Sequence, residues 1–187
     1  MKQTPAIIRL FLVAAFAVSI LTPSFAQTAA TATNSVIELD VNGMKVLIKR
    51  RPGTPTVAAG LFFRGGSRNL TAANAGIESF ALAVAGEATK SYPRQSLRKE
   101  IARMGTNISS GSNNDYSALS LASTKTNFET SWKIFTDVAL NPAFATEDVE
   151  RLRDARLTAL RAVNDSPESM LAELNDKIIY AGHPYAN

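Results

Sequence analysis

The stretch from Ala75 to Pro93, AGIESFALAVAGEATKSYP, decides how the chain is organised. Up to Ala88 it is apolar on every side. A helix without a polar face belongs in a protein interior, so the pattern predicts a buried helix that begins after a cap at Asn74. Up to Ala88 its only charges are Glu78 and Glu87, nine positions apart and about half a turn out of phase. These two carboxylates therefore cannot share a metal ion.

Upstream of this stretch the sequence predicts three strands. The apolar-alternating runs Ser35–Leu39 and Lys45–Lys49 flank the dipeptide Asn42-Gly43. Both residues of that dipeptide accept positive φ angles, which the tight turn of a β-hairpin requires. Thr56–Arg64 predicts a third strand. The segment Gly65–Arg68 lacks the spacing and the lysine of a phosphate-binding loop, so we interpret it as a turn that leaves this strand.

Downstream, helical and strand patterns alternate. Asn107–Asn114 and Tyr116–Ser123 predict an antiparallel pair of strands. Helices are predicted at Gln95–Met104 with a stop at Gly105, at Asn127–Leu140, from a cap at Thr146, and from Ser166-Pro167 to about Tyr180. Strands lie before, between and after helices, which favours an α+β fold over a doubly wound parallel sheet. The expected architecture is a mixed, mainly antiparallel sheet with helices packed on it.

Two of these helices carry apolar stripes that predict their buried sides. One stripe consists of Phe128, Trp132, Phe135 and Ala139, and the other of Val149, Leu152, Leu160 and Val163. Aromatic residues at this spacing are typical of core packing rather than of a cofactor site.

The N-terminal segment Met1–Ala26 has the form of a secretory signal peptide. Lys2 and Arg9 precede an apolar core of twelve residues, and Ser24-Phe25-Ala26 is a small-residue cleavage site before Gln27. The apolar core is shorter than the roughly 20 residues that span a bilayer, so no stable membrane anchor is expected. The predicted location is periplasmic or secreted. Residues 27–34 read as a flexible lead-in, and residues 35–187 as one incomplete domain.

Composition limits the classes of function. Loss of Lys2 and Arg9 with the signal peptide lowers the formal charge from +4 to +2, and no aromatic–basic pattern accompanies the arginines. Nucleic-acid binding therefore has little support. The chain contains no cysteine, so its exported part would have to fold without disulfides.

A set of matched positions makes the opening stretch resemble the signature segment of the pitrilysin/insulinase family of zinc metallopeptidases. In that family a buried helix carries an inverted zinc motif, H-x-x-E-H. The family segment reads approximately G-[LI]-A-H-F-L-E-H, a short run, then G-T, two residues and Y-P. The matching residues of this chain, found without a gap, are Gly76, Ile77, Phe80, Thr89, Tyr92 and Pro93. The resemblance implies an N-terminal, peptidase-like domain of a longer protein.

The residues that would carry the family's chemistry are absent. Ser79 and Ala83 stand at the two histidine positions, and Leu82 stands at the position of the catalytic glutamate. The family's third zinc ligand, a glutamate, corresponds to Ala159, next to Thr158 and shortly before a matching Asp165–Glu168 turn. Serine, leucine and alanine neither ligate zinc nor activate its water. The resemblance therefore implies no catalytic and no metal-binding residue in this chain.

Two other segments matter to function under the resemblance. The family binds substrate backbone along an edge strand by β-augmentation, and here that strand corresponds to Ser109, Ser110, Gly111 and Ser112. A plain edge strand without a ligand is the alternative interpretation. His183 is the only histidine of the chain. Because catalytic zinc needs three protein ligands, we expect it to have a structural role in a turn.

The resemblance implies three hypotheses of function. The first is an exported, non-catalytic subunit that pairs with a zinc-bearing homologous subunit or domain and helps to hold a peptide substrate. Under it, no cofactor is bound by this chain, and zinc is carried by the partner. The second is an active zinc metallopeptidase whose metal site lies beyond residue 187. The third is a scaffold or binding protein without peptide handling. An H-x-x-E-H motif in the residues beyond 187 would single out the second hypothesis.

Overall fold

The structure, a computed structural model, describes residues 36–186. The described chain forms two compact units, which divide between Pro52 and Gly53. The predicted signal peptide, its cleavage site and the predicted lead-in lie outside the described residues. Within residues 36–186, no helix is long and apolar enough to cross a membrane.

The first unit is the predicted β-hairpin, with strands β1 (Val36–Val41) and β2 (Met44–Lys49) paired antiparallel. Asn42 and Gly43 adopt φ angles of 53° and 84°, as the turn prediction requires. The register faces Ile37 with Ile48, Leu39 with Val46 and Val41 with Met44, which places six apolar side chains on one face of the hairpin.

A three-stranded antiparallel sheet is the centre of the second unit. Its strands are β3 (Thr56–Arg64), β4 (Asn107–Ser112) and β5 (Tyr116–Thr124), in the spatial order β3-β5-β4. The register aligns Gly60 of β3 with Ser120 of β5, and Ser120 in turn with Ser109 of β4. β5 is therefore central, and β3 and β4 are the edge strands of this sheet.

Helices cover one face of the sheet. The chain supplies α1 (Ile77–Ala85), α2 (Arg94–Met104) and α3 (Phe128–Leu140), followed by α4 (Thr146–Asn164) and α5 (Pro167–Ile179). The core joins α2 and α3 to β5 and consists of Leu97, Met104, Leu119, Leu121, Ile134, Phe135 and Val138. On β5, Leu119 and Leu121 face the helices, while Ala122 is exposed on the opposite face.

The helix stripes were only partly correct. On α3 the buried residues are Ser131, Ile134, Phe135 and Val138, while Trp132 stays 42% exposed and stacks on Phe135 at a ring-centroid distance of 5.4 Å. On α4, Leu160 is 53% exposed rather than buried. A stripe marks which side chains share a helix face, whereas burial also requires a neighbouring element that covers this face.

Of the helix ends predicted for α2, α4 and α5, two agree with the structure and one does not. Gly105 adopts a left-handed conformation with φ of 60° at the end of α2, as predicted. Ser166 accepts a hydrogen bond from Ser169 N and Pro167 occupies the first turn of α5, also as predicted. Thr146 was expected to be the cap of α4 but is its first residue, and the capping residue Ala145 has no side-chain acceptor.

Candidate functional site

Helix α1 begins two residues later than predicted. The residue before it is Gly76, in a left-handed conformation with φ of 79°, rather than Asn74. The Asn74 side chain instead accepts hydrogen bonds from the backbone N and the Oγ1 of Thr71, at 2.7 and 3.0 Å. Asparagine is favoured both at helix starts and in turns, and here the turn takes its side chain.

The helix is also less buried than its apolar sequence predicted. Val84 and Ala85 are buried, but Ile77 is 54% exposed and Ala81 is exposed. α1 contacts β4, β5 and α4. The second unit covers only one side and the C-terminal end of the helix, and the expectation of burial on every side was therefore wrong for the described residues.

The positions that resemble zinc ligands lie on two helices that touch, α1 and α4. On α1, the Ser79 hydroxyl donates to Gly76 O at 2.9 Å, and Leu82 and Ala83 are half-buried without any donor atom. On α4, Ala159 is exposed, and the neighbouring Thr158 hydroxyl donates to Asp154 O at 2.9 Å.

These side chains do not fit a zinc ion. Protein zinc sites use thiolate, imidazole and carboxylate ligands, and catalytic sites use three of them. Along the described chain, no group of three or more His, Cys, Asp or Glu residues converges on a point that could hold a metal. Helices α1 and α4 are therefore in contact, but the residues at the ligand positions supply no zinc-binding side chain.

The segment after α1 is held much more firmly than the helix itself. Ala88 and Thr89 are buried. Thr89 N donates to Tyr92 O, and Tyr92 N donates to Thr89 Oγ1, both at 2.9 Å. The segment is also tied to the end of α3, because Lys90 N donates to Asn141 O and Ala143 N donates to Ala88 O. We call residues 88–93 the frame segment.

Glu87, directly before the frame segment, is the centre of an ion-pair cluster. Its carboxylate contacts Arg94 at 2.8 Å, Arg98 at 3.0 Å and Arg151 at 2.6 Å. Asp148, whose side chain is 5% exposed, binds Arg151 at 3.1 Å. The cluster links α2 to α4 around the C-terminal end of α1. Asp148 raises the pKa of Arg151, mainly through its hydrogen bond, so the guanidinium stays charged.

Strand β4, the predicted substrate strand, is paired on one side only within the described sheet. Its partner is β5, which faces Ser109 with Ser120 and Gly111 with Ala118. Ser109, Ser110, Gly111 and Ser112 line a shallow cavity of about 350 Å³ together with Phe62 and Tyr116. The cavity lies on the sheet face opposite the core, and the two aromatic rings form an edge-to-face pair at 5.6 Å.

Glu78 is a candidate functional residue that the sequence did not single out beyond its charge. Its Oε2 accepts hydrogen bonds from Gly66 N at 2.8 Å and from the Ser117 hydroxyl at 2.6 Å. The sequence offered one indication of its role, which is that Glu78 is a carboxylate within an apolar stretch. Such a group needs a polar partner when the helix packs. Its partners lie 12 and 39 positions away and were not predictable from sequence spacing.

His183 lies in a turn, as expected. Its Nδ1 accepts a hydrogen bond from Tyr185 N at 3.3 Å, and its ring packs edge-to-face on Tyr185. The Tyr185 hydroxyl donates to Asp115 at 2.7 Å, which is the main reason that the pKa of Tyr185 is raised. The histidine thus helps to shape the turn that brings Tyr185 to the loop between β4 and β5.

Comparison with known proteins gave matches in sequence and in structure. A sequence model of the family described as Insulinase (Peptidase family M16) matches residues 45–187. An uncharacterized zinc protease of Mycobacterium leprae (strain TN) is 22% identical over 142 residues, which cover 76% of this chain and 32% of that protein.

Two solved structures show the same fold. A peptidase M16 inactive domain from Pseudomonas fluorescens superposes with a TM-score of 0.75 at 22% identity, covering 81% of this chain and 37% of the other. A protease from Helicobacter pylori superposes with a TM-score of 0.72 at 18% identity, covering 82% and 37%. These structures confirm the predicted α+β fold. This chain spans about a third of the length of each of these relatives.

Proposed function

The chain belongs to the insulinase family, peptidase family M16, and we propose that within it this chain is a non-catalytic part that holds a peptide for a zinc-bearing homologous subunit or domain. The observation that carries the proposal is the contrast on α1 and α4. The helices pack together as a frame, but Ser79, Leu82, Ala83 and Ala159 supply no metal ligand and no general base. One of the matching solved structures is itself described as an inactive domain.

Peptide holding rests on the free edge of β4. An unpaired strand edge offers a row of backbone N–H and C=O groups to an extended peptide. The serines and the glycine of β4 keep this edge free of bulky side chains, and the cavity beside it is lined by Phe62 and Tyr116. Backbone pairing would provide affinity, and side chains of the peptide would contact the aromatic pair.

A second candidate is an active zinc metallopeptidase in which another part of the whole protein carries the metal. The observation in its favour is that the relatives, one of them described as a zinc protease, are about three times as long as the matched region. In that case this chain would still hold peptide, and zinc would be bound by a homologous region. Detection of an H-x-x-E-H motif in the same polypeptide would favour this candidate over the separate subunit.

The peptide-holding proposal is tested with the chain and a set of extended, fluorescently labelled peptides that carry one large apolar side chain. Fluorescence anisotropy should show saturable binding. The matched control is a peptide of the same sequence with alternate backbone nitrogens methylated, prepared in both frames. Methylation removes backbone donors while it retains the side chains, so at least one frame should weaken binding about tenfold or more. Equal binding of all three peptides would contradict β-augmentation.

We also propose that the chain is exported. The sequence of residues 1–26 and the Ser24-Phe25-Ala26 site support it. The intact mass of the protein from a periplasmic fraction should correspond to a chain that begins at Gln27. Retention of residues 1–26 on a membrane-bound protein would contradict cleavage.

A further inference from the structure

The Glu78 carboxylate lies where the first turn of α1 meets the end of the sheet. Besides the hydrogen bonds from Gly66 N and the Ser117 hydroxyl, it packs against Gly65. A Cβ atom built on Gly65 would lie 2.7 Å from Glu78 Oε1, closer than real Cβ contacts come. Ser117 is 2% exposed. The carboxylate is thus held between a loop and the buried side of β5.

The hydrogen bonds continue from β5 to β4. Ser117 Oγ lies 2.8 Å from Ser112 Oγ, the last residue of β4. A hydroxyl carries a single proton, and the carboxylate can only accept. Ser117 Oγ is placed as the donor in both contacts, so its single proton is shared between Glu78 at 2.6 Å and Ser112 Oγ at 2.8 Å, and the shorter contact is the one to the charged carboxylate. The result is a group of polar contacts that joins Glu78, Ser117 and Ser112.

The loop that Glu78 binds is itself fastened to the turn between β4 and β5. Ser67 N donates to Asn113 O at 3.1 Å, Arg68 N donates to Asn114 O at 3.0 Å, and Gly65 N donates to Asp115 O at 3.2 Å. Gly66 has a φ of 74°, and a Cβ there would lie 2.2 Å from Asn113 O, so the loop and the turn approach as closely as glycine allows. Glu78 consequently reaches the end of β4 by two routes, through the hydroxyls and through the loop.

We propose that Glu78 is a positioning residue that fixes the end of β4 and thereby keeps its free edge in the geometry for peptide pairing. The proposal rests on the proposed function of β4. The two hydrogen-bond routes from Glu78 end at Ser112 and at the turn of residues 113–115, and neither runs through the core cluster of α2, α3 and β5. The helix that lacks metal ligands would therefore serve substrate binding through a different side chain.

The expected effect follows from the population of the ordered strand. When the binding-competent state is only partly populated, the apparent Kd rises by the inverse of that fraction. Removal of the carboxylate frees Ser117, Gly66 and, through them, Ser112. Glu78→Ala should therefore raise the peptide Kd about threefold to tenfold, with Glu78→Gln between it and the wild type because the amide oxygen still accepts one hydrogen bond.

The experiment compares the wild type with Glu78→Ala, Glu78→Gln and Ser112→Ala in the whole protein chain. Hydrogen exchange is followed at the amides of residues 108–116, and peptide binding is measured by anisotropy. The control is Asn127→Ala, which removes a hydrogen bond from Asn127 Nδ2 to Met104 O near the opposite end of the sheet. Ser112→Ala removes only the contact between Ser112 and Ser117. It can therefore be measured even if a Glu78 variant does not fold.

The proposal expects exchange at residues 110–115 to accelerate about tenfold in Glu78→Ala and less in Ser112→Ala, with no such local change in Asn127→Ala. Exchange at these amides that stays at the wild-type rate in folded Glu78→Ala and Ser112→Ala overturns the positioning role. A general loss of protection, equal in the control, also overturns it. If the wild type binds no peptide, the proposed function of β4 fails, while the exchange rates still decide whether Glu78 positions the strand.

Discussion

The first two turns of α1 and the frame segment that follows it differ sharply in how they are held. Along residues 77–83 the helix is exposed or half-buried, and apart from the Glu78 contacts its side-chain hydrogen bonding is local, with the Ser79 hydroxyl donating to Gly76 O just before the helix. In the frame segment, Ala88 and Thr89 are buried and residues 88–92 share backbone hydrogen bonds with one another and with the end of α3. Both regions match the insulinase family in sequence. In this chain the frame segment takes part in backbone hydrogen bonds to a second element, whereas the ligand positions Ser79, Leu82 and Ala83 are not buried.

The largest expected difference is between two aspartates placed on the same helix. Val84 is 2% exposed, so Val84→Asp buries a charge without a partner and should cost about 3 kcal/mol or more of unfolding free energy. Ser79→Asp places the charge in the first turn, where the helix dipole favours it, and should cost less than about 1 kcal/mol. Urea denaturation measures both. Equal losses would mean that the ligand positions are as firmly packed as the end of the helix.

The second prediction restores the missing chemistry. Ser79→His, Leu82→Glu, Ala83→His and Ala159→Glu together would give zinc three protein ligands and an open position on the α1–α4 frame. Zinc at 100 times its Kd should stabilise this variant by about 2.7 kcal/mol and raise its Tm by roughly 5–10 °C. The parent's Tm should not change, and the parent should hold no stoichiometric zinc in elemental analysis after dialysis.

The matched control for this rescue omits Ala159→Glu and should show a smaller shift. If the quadruple variant folds but its Tm does not change when zinc is added, α1 and α4 are not aligned as the family comparison implies.

The third prediction concerns the cluster that anchors the frame segment. Glu87→Gln weakens three arginine contacts at once, around a side chain that is 14% exposed, and should cost about 1–3 kcal/mol. Glu100→Gln is the control, because Glu100 pairs with only one arginine, Arg103, whose side chain is 63% exposed. Such a surface pair should contribute less than about 0.5 kcal/mol. Thermal denaturation at low salt compares the two variants. A smaller loss of unfolding free energy in Glu87→Gln than in Glu100→Gln would show that the cluster does not anchor the frame segment.

The smallest effect is a dependence on pH at the contact between α3 and the frame segment. Interaction with the Thr89 side chain is the main cause that lowers the pKa of Asp137, burial opposes it, and a hydrogen bond from Asn141 Nδ2 at 2.9 Å adds to the lowering. A carboxylate with a lowered pKa stabilises the fold above its unfolded pKa, and this stabilisation is lost as the pH falls through the folded value. As the pH is lowered from about 5 to about 2, the Tm of the wild type should therefore fall further than the Tm of Asp137→Asn. Parallel Tm profiles of the two proteins would contradict the contact.

Sequence patterns predicted most of the local structure and missed the contacts that decide the site. Thr56–Arg64 was predicted with the bounds that β3 has, because strand alternation and flanking turn residues are local signals. The site residue Glu78 was noted only as a charge, since a periodic pattern does not show which distant group will face it. Trp132 and Leu160 were assigned to the core although they are exposed, because neighbouring elements decide which side of a helix is covered.

By itself, the sequence determined the elements, their turns and caps at Gly43, Gly105 and Ser166, the family, and the absence of ligand chemistry at Ser79, Leu82, Ala83 and Ala159. These properties depend on backbone preferences and on the chemistry of single side chains. Only the tertiary structure decided that β5 lies between β3 and β4, that Glu87 contacts an arginine 64 positions away, and that Glu78 contacts Ser117, 39 positions away. Packing of distant elements creates these contacts, because burial leaves a carboxylate stable only where the fold supplies it with donors.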